Sequence, residues 1–404
     1  MKLNINLFKL YINVFLFVFS LNSISYSKTQ IIDNNKILFW DKTNRGCNYF
    51  NQEPKEEWFK EASLNNIKWV RLAYDKWKSE GKDFLIGNVS NYQGLVKKDL
   101  KILKKVLSWA EKYKLKIVIV PLSLPGSRWK QNNNNLIDSR LWNNFLYHEK
   151  SIKYWQDLAR ELRKYSCIVA YDIINEPFPE FKTNIEEQTT IGNYERFQNW
   201  YYKYNNTTKD LFLFYNKIIN SIREVDINTP IMIESGFYSQ PSSYYEFPKK
   251  FQDNKILYSF HMYEPYSFTS FENFKNSNNY IYPGNIFFGE SKIFWNKKTI
   301  DDYFNPFYKW INNNSINSNR VVVSEFGCMR KNKGCKEYLN DMIDILESKK
   351  FHWAFYSFRE DEWDGYDYEL GTQKIPYKII NTNKIKFFRK DNELFNVIKK
   401  GLNN

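Results

Sequence analysis

Short runs rich in β-branched and aromatic residues alternate along the chain with longer polar stretches that carry apolar residues at helical spacing. The runs fall at 46–50, 67–74, 117–122, 168–175, 230–235, 256–263, 320–326 and 352–358, and each has the length and composition of a buried strand. Between them, Leu100, Leu103, Leu107 and Ala110 form one helical stripe. Ile152, Trp155, Leu158 and Leu162 form a second, and Leu339, Met342, Ile343 and Leu346 a third. This alternation predicts an α/β fold with a parallel sheet wrapped by helices, and eight strands is the number that closes a (β/α)8 TIM barrel. No Pro-rich or Gly/Ser-rich linker interrupts the pattern, so one domain is expected over 28–404. Long insertions at 178–198, 240–252 and 266–295 interrupt the alternation. Two of them follow the fourth and sixth strands, on the face where such barrels keep their sites.

The first 27 residues read differently. Lys2 and Lys9 precede an apolar run at 14–21, and Ser25 and Ser27 supply a small-x-small cleavage motif. These are the parts of a secretory signal peptide over 1–27, which predicts a secreted or periplasmic protein. The apolar run is too short for a span, so no stable membrane insertion is expected after cleavage. In the 404 residues the hydrophobic share is 43% and the aromatic share 19%, which excludes a disordered chain and leaves ample material for a core and for groove linings. The net charge of +14 raises the question of nucleic acid, but the Lys residues are scattered singly and no compact Arg-rich patch occurs, so no nucleic-acid partner is expected. Of the four Cys, Cys328 and Cys335 flank a short basic loop where a bridge is plausible, while Cys47 and Cys167 sit in strand-like runs; all three full pairings stay open. No Cys or His cluster has metal-ligand spacing, and nothing in the sequence calls for a metal or a cofactor.

Two strands end on carboxylates. The run IVAYDIINEP carries Glu176 at its end, beside Asn175 and before a strand-breaking Pro177, and VVVSEFG runs three Val residues into Glu325. Charged residues seldom end buried strands without a partner or a task. On the fourth and seventh strands of one barrel, Glu176 and Glu325 would meet across its mouth, an arrangement suited to a glycosidic bond. Arg71, inside the run WVRLAY, needs a carboxylate beside it for the same reason. Glu234 also ends an apolar run and is read as a rim residue. His148 and His352 are read as structural.

Taken in order, Arg45-Gly46-Cys47-Asn48, Val70-Arg71-Leu72, Asn175-Glu176-Pro177, His261-Met262-Tyr263 and Ser324-Glu325-Phe326-Gly327 resemble the motifs of glycoside hydrolase family 5, the cellulase-like retaining β-glycosidases. The resemblance implies Glu176 as general acid/base and Glu325 as nucleophile. It also implies Arg71 and Tyr263 as the groups that keep Glu325 ionised, Asn175 as a partner of the sugar 2-hydroxyl, and His261 as the group that positions Glu176 or the sugar. The mechanism further requires Glu176 to carry its proton at neutral pH. The chain departs from the family twice: 121–126 (PLSLPG) lacks the His common after the third strand, and Tyr356 or Phe358 stands where a Trp usually floors the site. Sugar rings stack on aromatic faces, so Tyr356, Trp129 and Trp363 are the candidate substrate-binding residues, and the polar, aromatic loop 359–371 is a candidate contact. The expectation is a secreted hydrolase cutting internal bonds of a β-linked polysaccharide, foremost a β-1,4-glucan, with β-1,4-mannan or β-1,3-glucan as alternative substrates. A carbohydrate-binding barrel without turnover is the alternative from another class.

Overall fold

Eight parallel strands, at Arg45–Tyr49, Trp69–Ala73, Lys116–Val120, Ile168–Asp172, Ile231–Glu234, Ile256–Met262, Val321–Phe326 and His352–Phe355, pair in chain order, and the eighth closes on the first. The computed structural model describes residues 35–185, 191, 193–270, 280–380 and 382–404. The expected signal peptide over 1–27 lies outside the described residues, as do parts of the insertions at 178–198 and 266–295. Every predicted strand is present, most of them trimmed at the ends. The fourth stops at Asp172, because the chain must leave the sheet before Pro177, whose nitrogen has no hydrogen to give a ladder.

The three predicted stripes lie on helices Lys97–Lys112, Phe145–Leu162 and Cys335–Lys349. Leu103, Leu107 and Ala110, Trp155, Leu158 and Leu162, and Leu339, Met342 and Leu346 are fully buried against the outside of the barrel.

Inside the barrel the side chains form layers. The lowest is apolar: Trp69, Val118, Ala170, Met232, Leu257, Val322 and Ala354 meet there, plugged from below by Ile37 and Trp40 of a 3-10 helix at Lys36–Asp41. Trp40 is fully buried and its indole N–H donates to Val169 O at 2.9 Å. Removing an indole of that size from water is worth roughly 4–6 kcal/mol. Strand one contributes Gly46, where a Cβ would lie 2.6 Å from the Trp69 ring; only a residue without a side chain leaves room for that indole. Two residues further along the strands, at the period of a pleat, the interior turns polar, with Asn48, Arg71, Asp172, Glu234, Ser259 and Ser324 all buried.

Two additions sit outside this plan. A two-stranded antiparallel hairpin, Gly284–Phe288 and Ser291–Trp295, lies within the insertion at 266–295, and it buries Ile286, Phe288 and Trp295 on one face. Cys328 and Cys335 form a disulfide, and Cys47 and Cys167 are buried free thiols. Among the described residues no helix is long and apolar enough to cross a membrane.

Candidate active site

A cavity of about 870 Å³ opens at the C-terminal ends of the strands, and Arg71, Asn175, Glu176, His261, Tyr263 and Glu325 all line it. One carboxylate oxygen of Glu176, one of Glu325 and a ring nitrogen of His261 lie within 4.8 Å of one another. Two carboxyl groups 149 positions apart in the chain thus share one wall.

Local backbone geometry aims both of them. Past Asp172 the chain leaves the sheet and is held by the Trp155 indole N–H on Ile173 O (3.0 Å) and by Asn175 N–H on Pro121 O (3.2 Å). Glu176 itself adopts a left-handed backbone with φ of +47°, a conformation that costs a non-glycine residue about 1 kcal/mol and persists only where the surroundings impose it. On strand seven the ladder to strand six slips between Phe260 and His261, so that His261 registers with Glu325 while Phe260 registers with Val323. The extra residue, Ser324, is a bulge, and a bulge re-aims the side chain that follows it. Glu325 is thereby turned to the same mouth as His261.

Arg71 organises the layer below. A guanidinium has five N–H groups, and each has a partner here. Nε donates to Asp172 (2.8 Å), Nη1 to Asn48 Oδ1 (3.3 Å) and to Glu325 Oε1, and Nη2 to Asn175 Oδ1 (2.9 Å) and Glu234 Oε1 (2.6 Å). Burial opposes the Arg71 charge, but Asp172, Glu234 and Glu325 outweigh it, so the group is held cationic. Asp172 is pushed well up, first by burial and then by Glu234, against the pull of Arg71.

His261 bridges two carboxylates, with Nδ1 3.0 Å from Glu176 Oε1 and Nε2 3.1 Å from Glu234 Oε1. Burial alone would lower His261, yet Glu234 and Glu325 overcome it and push it up to about 10, which makes the ring an imidazolium donating from both nitrogens at neutral pH. Glu234 shows the complement: burial would raise it, but His261 and Arg71 bring it down to about 2. Tyr263 donates its hydroxyl to Glu325 Oε2 at 2.8 Å. Burial raises Glu325 above the ordinary carboxylate range; His261 and Arg71 pull it down, Glu176 adds to the rise, and Tyr263 opposes it. Arg71, the cation expected beside Glu325, lies there together with His261, but the two limit the effect of burial rather than reverse it.

The aromatic candidates also line the cavity. Trp129 packs edge-on to Phe50 with centroids 4.8 Å apart, and Trp363 packs edge-on to Tyr366 at 4.9 Å. Of the two floor candidates Tyr356 reaches the cavity, and Phe358 is buried behind it against Trp58. The polar loop brings Glu360, whose Oε2 accepts from the Tyr356 hydroxyl at 3.2 Å. Lys76 spans Glu360 (3.1 Å) and Glu362 (2.7 Å), and burial pushes Glu360 up to about 7. Where the family has its His after strand three, this chain has Leu122 and Ser123, whose amides are held by Asp75 at 2.9 and 2.8 Å. His148 and His352 are buried away from the cavity.

The reading of Glu234 as a rim residue is corrected: it is fully buried at the centre of the network. Asp172 and Lys76 were not singled out from the sequence at all. The signal that finds Glu234 and Asp172 is parity, since each lies two residues beyond an interior apolar residue, Met232 and Ala170, as Arg71 lies two beyond Trp69.

Comparison with known proteins places this geometry in company. The family model described as cellulase (glycosyl hydrolase family 5) matches residues 32–362. Endoglucanase C of Acetivibrio thermocellus is 24% identical over 332 residues, covering 78% of this chain and 82% of that protein. Among solved structures, endoglucanase Cel5A of the hyperthermophile Thermotoga maritima superimposes with a TM-score of 0.59 at 16% identity, over 92% of this chain and 98% of that one. The cellulose synthase subunit Z of Clostridioides difficile does so with a TM-score of 0.54 at 17% identity, over 80% and 93%. Both structural likenesses concern the barrel fold.

Proposed function

The chain belongs to glycosyl hydrolase family 5, and from that premise we propose that it is a retaining endo-β-1,4-glucanase in which Glu325 is the nucleophile and Glu176 the general acid/base. The observation that carries this reading is the approach of the two carboxylates, within 4.8 Å over the cavity. Retention needs carboxyl groups ~5 Å apart, whereas inversion needs room for a water between them.

In the first step a Glu325 oxygen attacks the anomeric carbon while Glu176 gives its proton to the departing glycosidic oxygen, leaving a covalent glycosyl-enzyme. Esterification removes the Glu325 charge. Glu176, now a carboxylate, takes a proton from water as that water attacks the same carbon, and Glu325 leaves as a carboxylate. Arg71 and Tyr263 hold the two Glu325 oxygens in place, so little reorganisation is needed as charge leaves and returns. The His261 imidazolium, donating to Glu176 Oε1, orients the acid. Asn175, itself anchored on Arg71, is left to meet the 2-hydroxyl of the attacked sugar. Trp129, Tyr356 and Trp363 supply faces for sugar rings. The 24%-identical relative being an endoglucanase supports glucan and internal cleavage. The residue pattern over 1–27 supports export with loss of that segment.

The test is product analysis on carboxymethylcellulose, barley β-glucan and mannan. Wild-type protein is expected to release reducing ends from the glucans with retained anomeric configuration, and Glu325→Gln to lose several orders of magnitude of turnover with an unchanged melting temperature. Cleavage of mannan alone would replace the substrate assignment, and binding of glucan without cleavage would replace the enzyme reading by a carbohydrate-binding one.

A further inference from the structure

We propose that Glu234, on strand five, is a positioning residue for the acid/base: it fixes both the backbone and the side-chain partner of Glu176. This rests on the reading of Glu176 as the acid/base and extends it. Three donors converge on one fully buried carboxylate. Oε1 receives Arg71 Nη2 at 2.6 Å and His261 Nε2 at 3.1 Å, and Oε2 receives the backbone N–H of Glu176 at 2.7 Å.

Each bond answers a need visible elsewhere. The Glu176 backbone is left-handed, and a bond to its own N–H is the direct way to hold such a residue. His261 reaches Glu176 through Nδ1, and it donates there because its other nitrogen is engaged by a carboxylate that favours the doubly protonated ring. Without a carboxylate at Nε2 the ring no longer favours its second proton, and a singly protonated His261 that keeps its proton on Nε2 stops donating to Glu176. The charged groups facing Glu234 are Arg71 from strand two, Asp172 from strand four and His261 from strand six. Glu325 enters through Arg71 and His261, and the Tyr215 hydroxyl binds the Glu234 carbonyl at 2.9 Å. Arg71 keeps Asp172 and Glu325 if Glu234 is neutralised, so the nucleophile retains its cation. The acid/base has no comparable reserve.

The experiment compares Glu234→Gln with wild type on two substrates, a cello-oligosaccharide, whose leaving group needs protonation, and a 2,4-dinitrophenyl β-cellobioside, whose leaving group does not. Loss of acid positioning predicts a fall in kcat/KM of roughly 10²-fold on the first and under about tenfold on the second. An equal fall on both, with a lowered melting temperature, overturns the proposal in favour of a structural ion pair. Glu176→Gln is run alongside. If it shows no leaving-group dependence, the acid/base reading of Glu176 fails. If it shows the dependence and Glu234→Gln does not, only the role of Glu234 fails. Should Glu234→Gln not fold, imidazole nitrogen shifts of the wild type decide, because His261 must be doubly protonated at pH 7 and a singly protonated ring overturns the proposal.

Discussion

Replacing Arg71 by Lys separates charge from shape at the centre of the site. Both side chains are cations, so the Coulomb field at Asp172, Glu234 and Glu325 keeps its sign. The difference is the number and direction of donors: the guanidinium uses five N–H groups on five acceptors, whereas an ammonium has three. At least two acceptors therefore lose their partner around a group that is only 1% exposed. A hydrogen bond to a charged group contributes ~1.5–3 kcal/mol, so two such losses cost about 3–6 kcal/mol, a large part of the ~5–15 kcal/mol by which domains are stable. Glu325 also loses the cation that fixes the direction of Oε1, and with Glu325 as the proposed nucleophile kcat on a dinitrophenyl cellobioside should fall by about 10²-fold or more. Urea titration followed by near-ultraviolet circular dichroism gives the first number, and initial rates give the second. A variant that loses less than about 1 kcal/mol and stays within about threefold of wild type would refute the argument that planar, five-fold bonding is the reason an Arg stands there.

Two further outcomes are expected. His352 is neutral in the fold, with Asn44 N–H donating to its Nδ1 at 2.9 Å and Nε2 3.3 Å from Asn319 O, and burial lowers it to about 4. A His lowered on folding gives stability that is full above its unfolded value of 6.5 and is lost as pH falls toward 4. The stability difference between wild type and His352→Gln should therefore shrink by about 3 kcal/mol from pH 7 to pH 4; a difference independent of pH in urea titrations rejects this. Trp129→Ala should raise KM for a cello-oligosaccharide by about tenfold at nearly constant kcat, since a stacking face binds ground state and transition state alike, and a fall in kcat with unchanged KM would remove Trp129 from the binding surface.

The strands were legible because a barrel buried on both faces demands continuous apolar runs, and Val321–Phe326 or Ile231–Glu234 cannot be mistaken for anything exposed. What such runs conceal is which side faces inward. Glu234 is buried inside, on the parity that Met232 two residues earlier marks, and not at the rim. The positions of His261 and Tyr263 at the end of strand six were readable, but the slip at Phe260 that turns Glu325 toward them leaves no trace in a run of Val residues. The hairpin within 266–295 left no alternating pattern to read, because Ile286, Phe287 and Phe288 are all apolar although Phe287 is exposed and its two neighbours are buried.

The seam of the barrel lies between its two ends in sequence: Arg45 to Cys47 pair with Trp353 to Phe355, and Asn44 bonds His352 across 308 positions. Strand one consequently lacks its second neighbour until strand eight has been synthesised, and the helix Glu393–Leu402, whose Gly401 lies against Trp353, follows later still. Contacts so distant along the chain form slowly. An intermediate that lacks strand eight would thus remain open-sided, with the Arg45–Tyr49 edge unpaired until that strand arrives.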